Sequence, residues 1–261
     1  MARQIYQYED IKGHIWMEEF GERKIYGYMP PSYDGGLEKF PVVYLQDGGD
    51  FFLPEKNRVL SVLEGNFEKN KLKEVILIGI EPKQRLDEYS PWYATALSKR
   101  FKDFGGKGDV YIRFIVEELK PFIDASFNTD PSVEGTGIMG ASLGGLISMY
   151  AACVYPEVFG RIGCISASFW YEDFLEYIVR REISNIRSKK IYMDVGSLEG
   201  HGKDSRQIFM VSNTKAIYDA FLEKGIGNEN IRLEIDHGAS HNYKFFADRF
   251  PKAIEWLFSK D

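Results

Sequence analysis

Short apolar runs alternate with longer amphipathic stretches along most of the chain. Residues 15–20, 24–29, 42–46, 75–80, 134–139, 161–166, 190–195 and 231–236 read as strands. Several of these runs are continuous rather than alternating. Val75-Ile76-Leu77-Ile78, for example, has no polar position. A strand covered on both faces reads this way, as in a parallel sheet held between layers of helix. Residues 110–127, 143–155, 171–186, 212–224 and 242–260 read as helices. In the last of them Phe245, Phe246, Phe250, Ile254 and Leu257 recur at three- and four-residue spacing and form one apolar stripe. Gly21-Glu22-Arg23 joins the first two strands as a hairpin, so the sheet opens antiparallel. The strand–helix alternation that follows predicts right-handed crossovers. The expected fold is α/β, with a mostly parallel central sheet of about eight strands and helices on both faces. No repeat, low-complexity stretch or linker interrupts residues 1–261, which predicts a single domain.

Composition narrows the function. Of 261 residues, 44% are apolar and 28% charged, which excludes a disordered tail, a fibre or a coiled coil. The 33 basic and 39 acidic side chains leave a net charge of −6. A surface that neutralises phosphates carries the opposite sign, so neither nucleic acid nor an anionic membrane is an expected partner. The first ten residues hold no apolar stretch of signal-peptide length, and the run 75–80 is too short to span a bilayer. Both features predict a cytoplasmic chain. Cys153 and Cys164 sit among apolar neighbours and read as reduced, packed thiols.

The chemistry concentrates at Gly140-Ala141-Ser142-Leu143-Gly144, between a predicted strand and a predicted helix. A Gly-x-Ser-x-Gly pattern alone is weak, but a serine on a strand-to-helix turn is held in a strained conformation with its hydroxyl raised above the sheet. The flanking glycines let strand and helix approach without Cβ collisions. The helix then points its first amides at the hydroxyl, and the Leu143 N–H becomes a donor for a developing oxyanion. A phosphate cradle would need a lysine after the glycines or a Gly-x-Gly-x-x-Gly spacing, and neither is present.

A serine nucleophile needs a base. The four histidines are His14, His201, His237 and His241. The loop between the last strand and the last helix holds two of them, and His241, beyond the glycine turn, is the favoured base. His237, at the strand end, reads as a hydrogen-bonded structural residue, His14 as a surface residue, and His201 as a residue in a flexible loop beside the acids that can line the site. A third group must orient the imidazole, and it should follow the strand at 190–195. Glu199 is favoured there, with Asp204 (which can instead cap the next helix) and Asp194 (inside the strand) as alternatives. The order Ser142, Glu199, His241 is that of α/β-hydrolase triads. The second oxyanion amide falls in the turn Asp47-Gly48-Gly49-Asp50, with Gly49 ahead of Gly48. Asp47 and Asp50 read as turn formers, because the spacing does not suit a calcium loop.

These segments together resemble the "Putative esterase" branch of the α/β-hydrolase superfamily. That branch includes enterochelin and bacillibactin esterases, feruloyl esterases, esterase D and the antigen 85 mycolyl transferases. The resemblance spans residues 5–261. It is carried by 28–34, by Pro41 to Gly49, by Arg85-Leu86-Asp87-Glu88-Tyr89-Ser90-Pro91-Trp92, by Gly140 to Gly145, by Ser166 to Trp170 and by Asp194 to Glu199. It implies serine hydrolase chemistry on a small-molecule ester, of short-acyl or siderophore type, with no metal and no organic cofactor. It also implies that Gly49 supplies an oxyanion amide and that Trp92, Phe169, Trp170 and Tyr171 border the substrate. Two other functions are compatible with the same segments: thioester hydrolysis of the S-formylglutathione type, and a non-catalytic binding module on this fold. The segment 83–108 is long and rich in glycine and charge, and offers either a lid or a homodimer contact.

Overall fold

In the computed structural model, which describes residues 3–183 and 185–260, the apolar runs assemble into one nine-stranded sheet. In chain order the strands are β1 (Gln4–Tyr6), β2 (His14–Phe20), β3 (Arg23–Met29), β4 (Val42–Gln46), β5 (Ile76–Ile80), β6 (Thr136–Ala141), β7 (Arg161–Ile165), β8 (Lys190–Gly196) and β9 (Ile231–Asp236). Their spatial order is β1-β2-β3-β5-β4-β6-β7-β8-β9. The pairs from β1 to β5 through β3 are antiparallel, and all those from β5 to β9 are parallel. The strand beyond the expected set is β1, three exposed residues on the sheet edge, too short to show a period.

The continuous apolar runs are buried on both faces, as the pattern predicts. Val42, Tyr44, Ile76, Ile78 and Ile138 point into one layer, and Val43, Leu45, Leu77 and Met139 into the other. The first layer is closed by the helical segment 108–126 (α2), α3 (Leu143–Val154), α4 (Phe174–Arg180) and α5 (Met210–Glu223). The second is closed by α1 (Val59–Glu68) and α6 (Tyr243–Leu257), which pack on each other. Burying each such Ile, Leu or Phe contributes about 1.5–3 kcal/mol.

Three differences from the sequence reading have physical causes. Helix α1 was not expected, although Val59, Leu60, Leu63 and Phe67 lie on one buried face. It is the crossover that the parallel pair β4–β5 requires. The helix expected over 171–186 shortens to α4, because Asp173 takes a left-handed φ of 60° before it and Arg181 is extended after it. Helix α2 widens into a π turn at Ile115–Leu119, just before Pro121, whose missing N–H cannot join a regular ladder. Among the described residues no helix is long and apolar enough to cross a membrane.

Phe250 couples α6 to the turn beyond β4: it is fully buried and stacks on Phe51 of that turn with ring centroids 5.3 Å apart. Phe250→Ala should cost about 3–5 kcal/mol, read as a lower midpoint in urea unfolding. A loss under about 1 kcal/mol would mean that the α6 layer is not packed as described.

Candidate active site

Ser142 stands between the last residue of β6 and the first of α3 with φ 57° and ψ −123°, a backbone that non-glycine residues avoid. The turn is pinned from three directions. The Ser142 N–H donates to Ile165 O at 3.0 Å, and its carbonyl accepts from Ser168 N at 2.9 Å and from Leu146 N at 3.1 Å. The glycines are required by space. A Cβ on Gly140 would lie 2.6 Å from the Gly144 carbonyl carbon, and one on Gly144 would lie 2.9 Å from Gln46 Cβ. The strand and the helix can therefore pass this closely only with hydrogen at both positions.

His241 reaches this serine from the far end of the chain, its Nε2 2.9 Å from Ser142 Oγ and its Nδ1 2.7 Å from Glu199 Oε2. Ser168 Oγ lies 3.2 Å from the same hydroxyl. The loops carrying Glu199 and His241 are laced together: Ser197 N donates to Asp236 O at 2.9 Å and Leu198 N to Ala239 O at 3.0 Å. The imidazole packs on Phe246 with ring centroids 4.9 Å apart and planes at 74°, which limits its rotation.

The Glu199 side chain has no solvent exposure. Its Oε1 accepts from Gly196 N at 2.8 Å and from the Ser166 hydroxyl, so Oε2 is left for the imidazole. Burial acts to raise this carboxyl, but the hydrogen bonds from His241, Ser166 and Gly196 outweigh it and hold the group below the usual carboxylate range. An ionised carboxylate only accepts, so Nδ1 carries the proton and Nε2 faces Ser142 as the acceptor. Behind Glu199 lies Arg249 of α6, almost wholly buried. Its Nη2 donates to Ser166 Oγ at 2.8 Å and lies 3.6 Å from Glu199 Oε1, while Nη1 lies 2.8 Å from Asp194 Oδ1. Burial pushes the Asp194 carboxyl up to about 7, against the pull of Arg249 and the Ser166 N–H.

The remaining residues singled out by sequence fall in different places. A cleft of about 720 Å³ opens over Ser142, lined by Leu143, Trp170, Leu86, Phe104 and Asp204 among others. Much of its wall comes from the segment 83–108, which folds as a short helix at Arg85–Glu88 and a two-stranded ribbon, Tyr93–Ala94 with Phe104–Gly105. Of the four aromatics expected at the substrate, only Trp170 lines this cleft. Phe169 is fully buried and stacks on Phe174. Tyr171 donates its hydroxyl to Trp92 O, and Trp92 Nε1 donates to Glu172 O at 3.0 Å. Phe169, Tyr171 and Trp92 pack in an aromatic cluster, where Tyr171 and Trp92 also satisfy their polar atoms, and none of the three lines the cleft. Gly49 lines a separate hollow with Tyr26 and Asp47. Among the described residues, neither the Gly49 nor the Leu143 N–H donates to another protein group. Asp47 holds Arg85 at 2.6 Å, and Asp50 pairs with Lys56. His237 is exposed and has no hydrogen-bond partner among the described residues, so its expected structural role is not found. His14 is half-buried, 3.7 Å from Asp34, rather than a surface residue. His201 is exposed and is not part of the cleft wall. Both cysteines are free and buried. Arg249, and the place of Ser166 between it and Glu199, escaped the sequence reading, although a charged residue inside the α6 apolar stripe was the available signal for Arg249.

Residues 20–257 match the family described as "Putative esterase". The chain is 42% identical over 253 residues to the "Uncharacterized protein YbbA" of Bacillus subtilis (strain 168), covering 96% of this chain and 98% of that one. The chain belongs to this esterase family, and it is an enzyme of the ester-hydrolysing class on an α/β-hydrolase fold. It is also 26% identical over 213 residues to the ferri-bacillibactin esterase BesA of the same organism, covering 75% of this chain and 70% of the relative. The fold is shared with an IroE-like serine hydrolase from Shewanella oneidensis at a TM-score of 0.74 and 20% identity, over 98% of this chain and 79% of that one.

Replacing Arg249 by Met should destabilise the protein by about 3–5 kcal/mol at neutral pH, because buried carboxylates lose their counter-ion. Without the cation the Asp194 carboxyl rises further still. The folded variant then keeps a proton that the wild type releases near pH 7, so the deficit grows as pH rises from about 6 to about 9. Urea unfolding at both pH values measures this, and an equal deficit at each would contradict the coupling.

Proposed function

We propose that this enzyme cleaves carboxylic esters through a covalent acyl-enzyme, with Ser142 as nucleophile, His241 as general base and acid, and Glu199 as the orienting carboxylate. The observation that carries this reading is the unbroken hydrogen-bond chain from Ser142 Oγ through His241 Nε2 (2.9 Å) and Nδ1 to Glu199 Oε2 (2.7 Å). As the Ser142 oxygen attacks the ester carbonyl carbon, its proton passes to His241 Nε2. Glu199 stabilises the imidazolium that results. The carbonyl oxygen becomes an oxyanion, held by the Leu143 amide at the start of α3 and by the Gly49 amide. Both are unengaged donors, which supports that role. The tetrahedral species collapses, the alcohol leaves with the proton from His241, and Ser142 stays acylated. Water then gives its proton to His241 as it attacks the acyl carbon; the bond from Ser142 Oγ to the acyl carbon breaks, His241 returns the proton to Oγ, and the acid leaves with the serine restored.

The expected substrates are small-molecule esters of short-acyl or siderophore type. A cleft of about 720 Å³ can hold an acyl or aryl group of that size, and the similarity to BesA supports a siderophore-type ester.

Ser142→Ala and His241→Ala should each lower kcat for p-nitrophenyl acetate by about 10⁴-fold or more, and Glu199→Gln by about 10³–10⁴-fold, with folding retained. A fluorophosphonate probe should label wild type at Ser142 and leave Ser142→Ala unlabelled. Wild-type turnover by Ser142→Ala, with contaminants excluded, would end this assignment.

A further inference from the structure

The mouth of the cleft carries charge that the chemistry above does not use. Arg100, Lys102 and Lys203 line it, against a single carboxylate, Asp204. All four side chains are exposed. Among the described residues none of the three cations has a carboxylate within 4.0 Å or a side-chain hydrogen bond. Neighbouring bases are neutralised: Arg85 by Asp47, Lys107 by Asp87 and Arg206 by Glu172. Three unpaired cations facing one acid make this mouth positive on a chain whose net charge is −6. Two separate segments supply them, the 83–108 wall and the loop beyond Glu199. Apolar surface lies between: Phe104 and Trp170 line the same cleft, with Phe101, 68% exposed, at the rim.

A cleft lined by one sign of charge focuses the field, raises the local concentration of the opposite ion, and speeds its arrival by about 10–10³-fold at low salt. A neutral ester gains nothing from this field. We propose that the substrate of this site is an anionic ester, whose acid group is received by Arg100, Lys102 and Lys203 while its ester carbonyl lies at Ser142. The inference rests on the esterase reading of Ser142 and adds the charge of the substrate to it. The proposal covers an acid group on either the acyl or the alcohol side of the ester.

Two matched pairs of esters test it. The acyl-side pair is 4-nitrophenyl hydrogen succinate and its neutral methyl ester. The alcohol-side pair is 4-acetoxybenzoate and methyl 4-acetoxybenzoate. Each rate is corrected for spontaneous hydrolysis. In at least one pair the anionic member should have a kcat/KM about tenfold or more above its neutral twin at low salt. The advantage should shrink as salt approaches roughly 0.5 M, where the screening length drops to a few ångströms. In an Arg100→Ala/Lys102→Ala/Lys203→Ala variant the anionic-to-neutral ratio should fall to about one, while Lys69→Ala, which removes a distant exposed cation, should leave the ratio as it is. Neutral twins turned over as fast as the anions by wild type would overturn the proposal and leave the esterase reading standing. A preference that survives in the triple variant would overturn its assignment to these three residues. No turnover of any of the four esters, together with no fluorophosphonate label on Ser142, would overturn both readings.

Discussion

The unfavourable backbone of Ser142 is the constraint around which the site is built. A non-glycine residue at such angles costs on the order of 1–3 kcal/mol and persists only where its surroundings over-determine it. Here they do. The amide and carbonyl of Ser142 are tied to β7 and to the turn beyond it, and α3 is pressed so close to β6 and β4 that only glycine fits at 140 and 144. The same packing that forces the strain also lifts the hydroxyl off the sheet and aims the first amides of α3 at the space above it. The hydrophobic burial of a helix with eleven of its twelve residues inside is what sustains the turn.

A second level of organisation is electrostatic. The Glu199 carboxylate has no contact with water, and one of its oxygens is fully occupied by protein donors. Its other oxygen therefore faces the imidazole with its lone pairs unspent. Arg249 ties this arrangement to the frame, joining Ser166 at the end of β7, Asp194 within β8 and the body of α6. The buried half of the site thus holds paired charges, whereas the cations at its mouth are unpaired and open to solvent. Pairing suits a part that must keep one geometry, and an unpaired charge suits a part that meets a partner from solution.

Much of this was legible in the residues alone. The periods of the apolar positions located every parallel strand, and the glycines around Ser142 located the elbow. His241 was preferred to His237 because one lies on the loop leading into the last helix and the other at a strand end. The reading was weaker wherever side chains of one type sat in similar local settings. Trp92, Phe169, Trp170 and Tyr171 are all aromatic and all near the site, yet only Trp170 turns to the cleft. Trp92 and Phe169 meet partners from α3 and α4, and Tyr171 packs on Trp92 and Phe104, contacts that no local pattern encodes. Arg249, a charged residue inside an apolar stripe, is the buried cation behind Glu199.

Local sequence determined what depends on neighbours a few residues apart: the strands, most of the helices, and the strained serine between its glycines. Tertiary structure alone decided which carboxylate meets the imidazole, which aromatics face the cleft and which cations remain unpaired. The reason lies in distance along the chain. The His241 bond to Glu199 closes over 42 residues and its bond to Ser142 over 99, and such contacts exist only once the sheet has set the order of its strands.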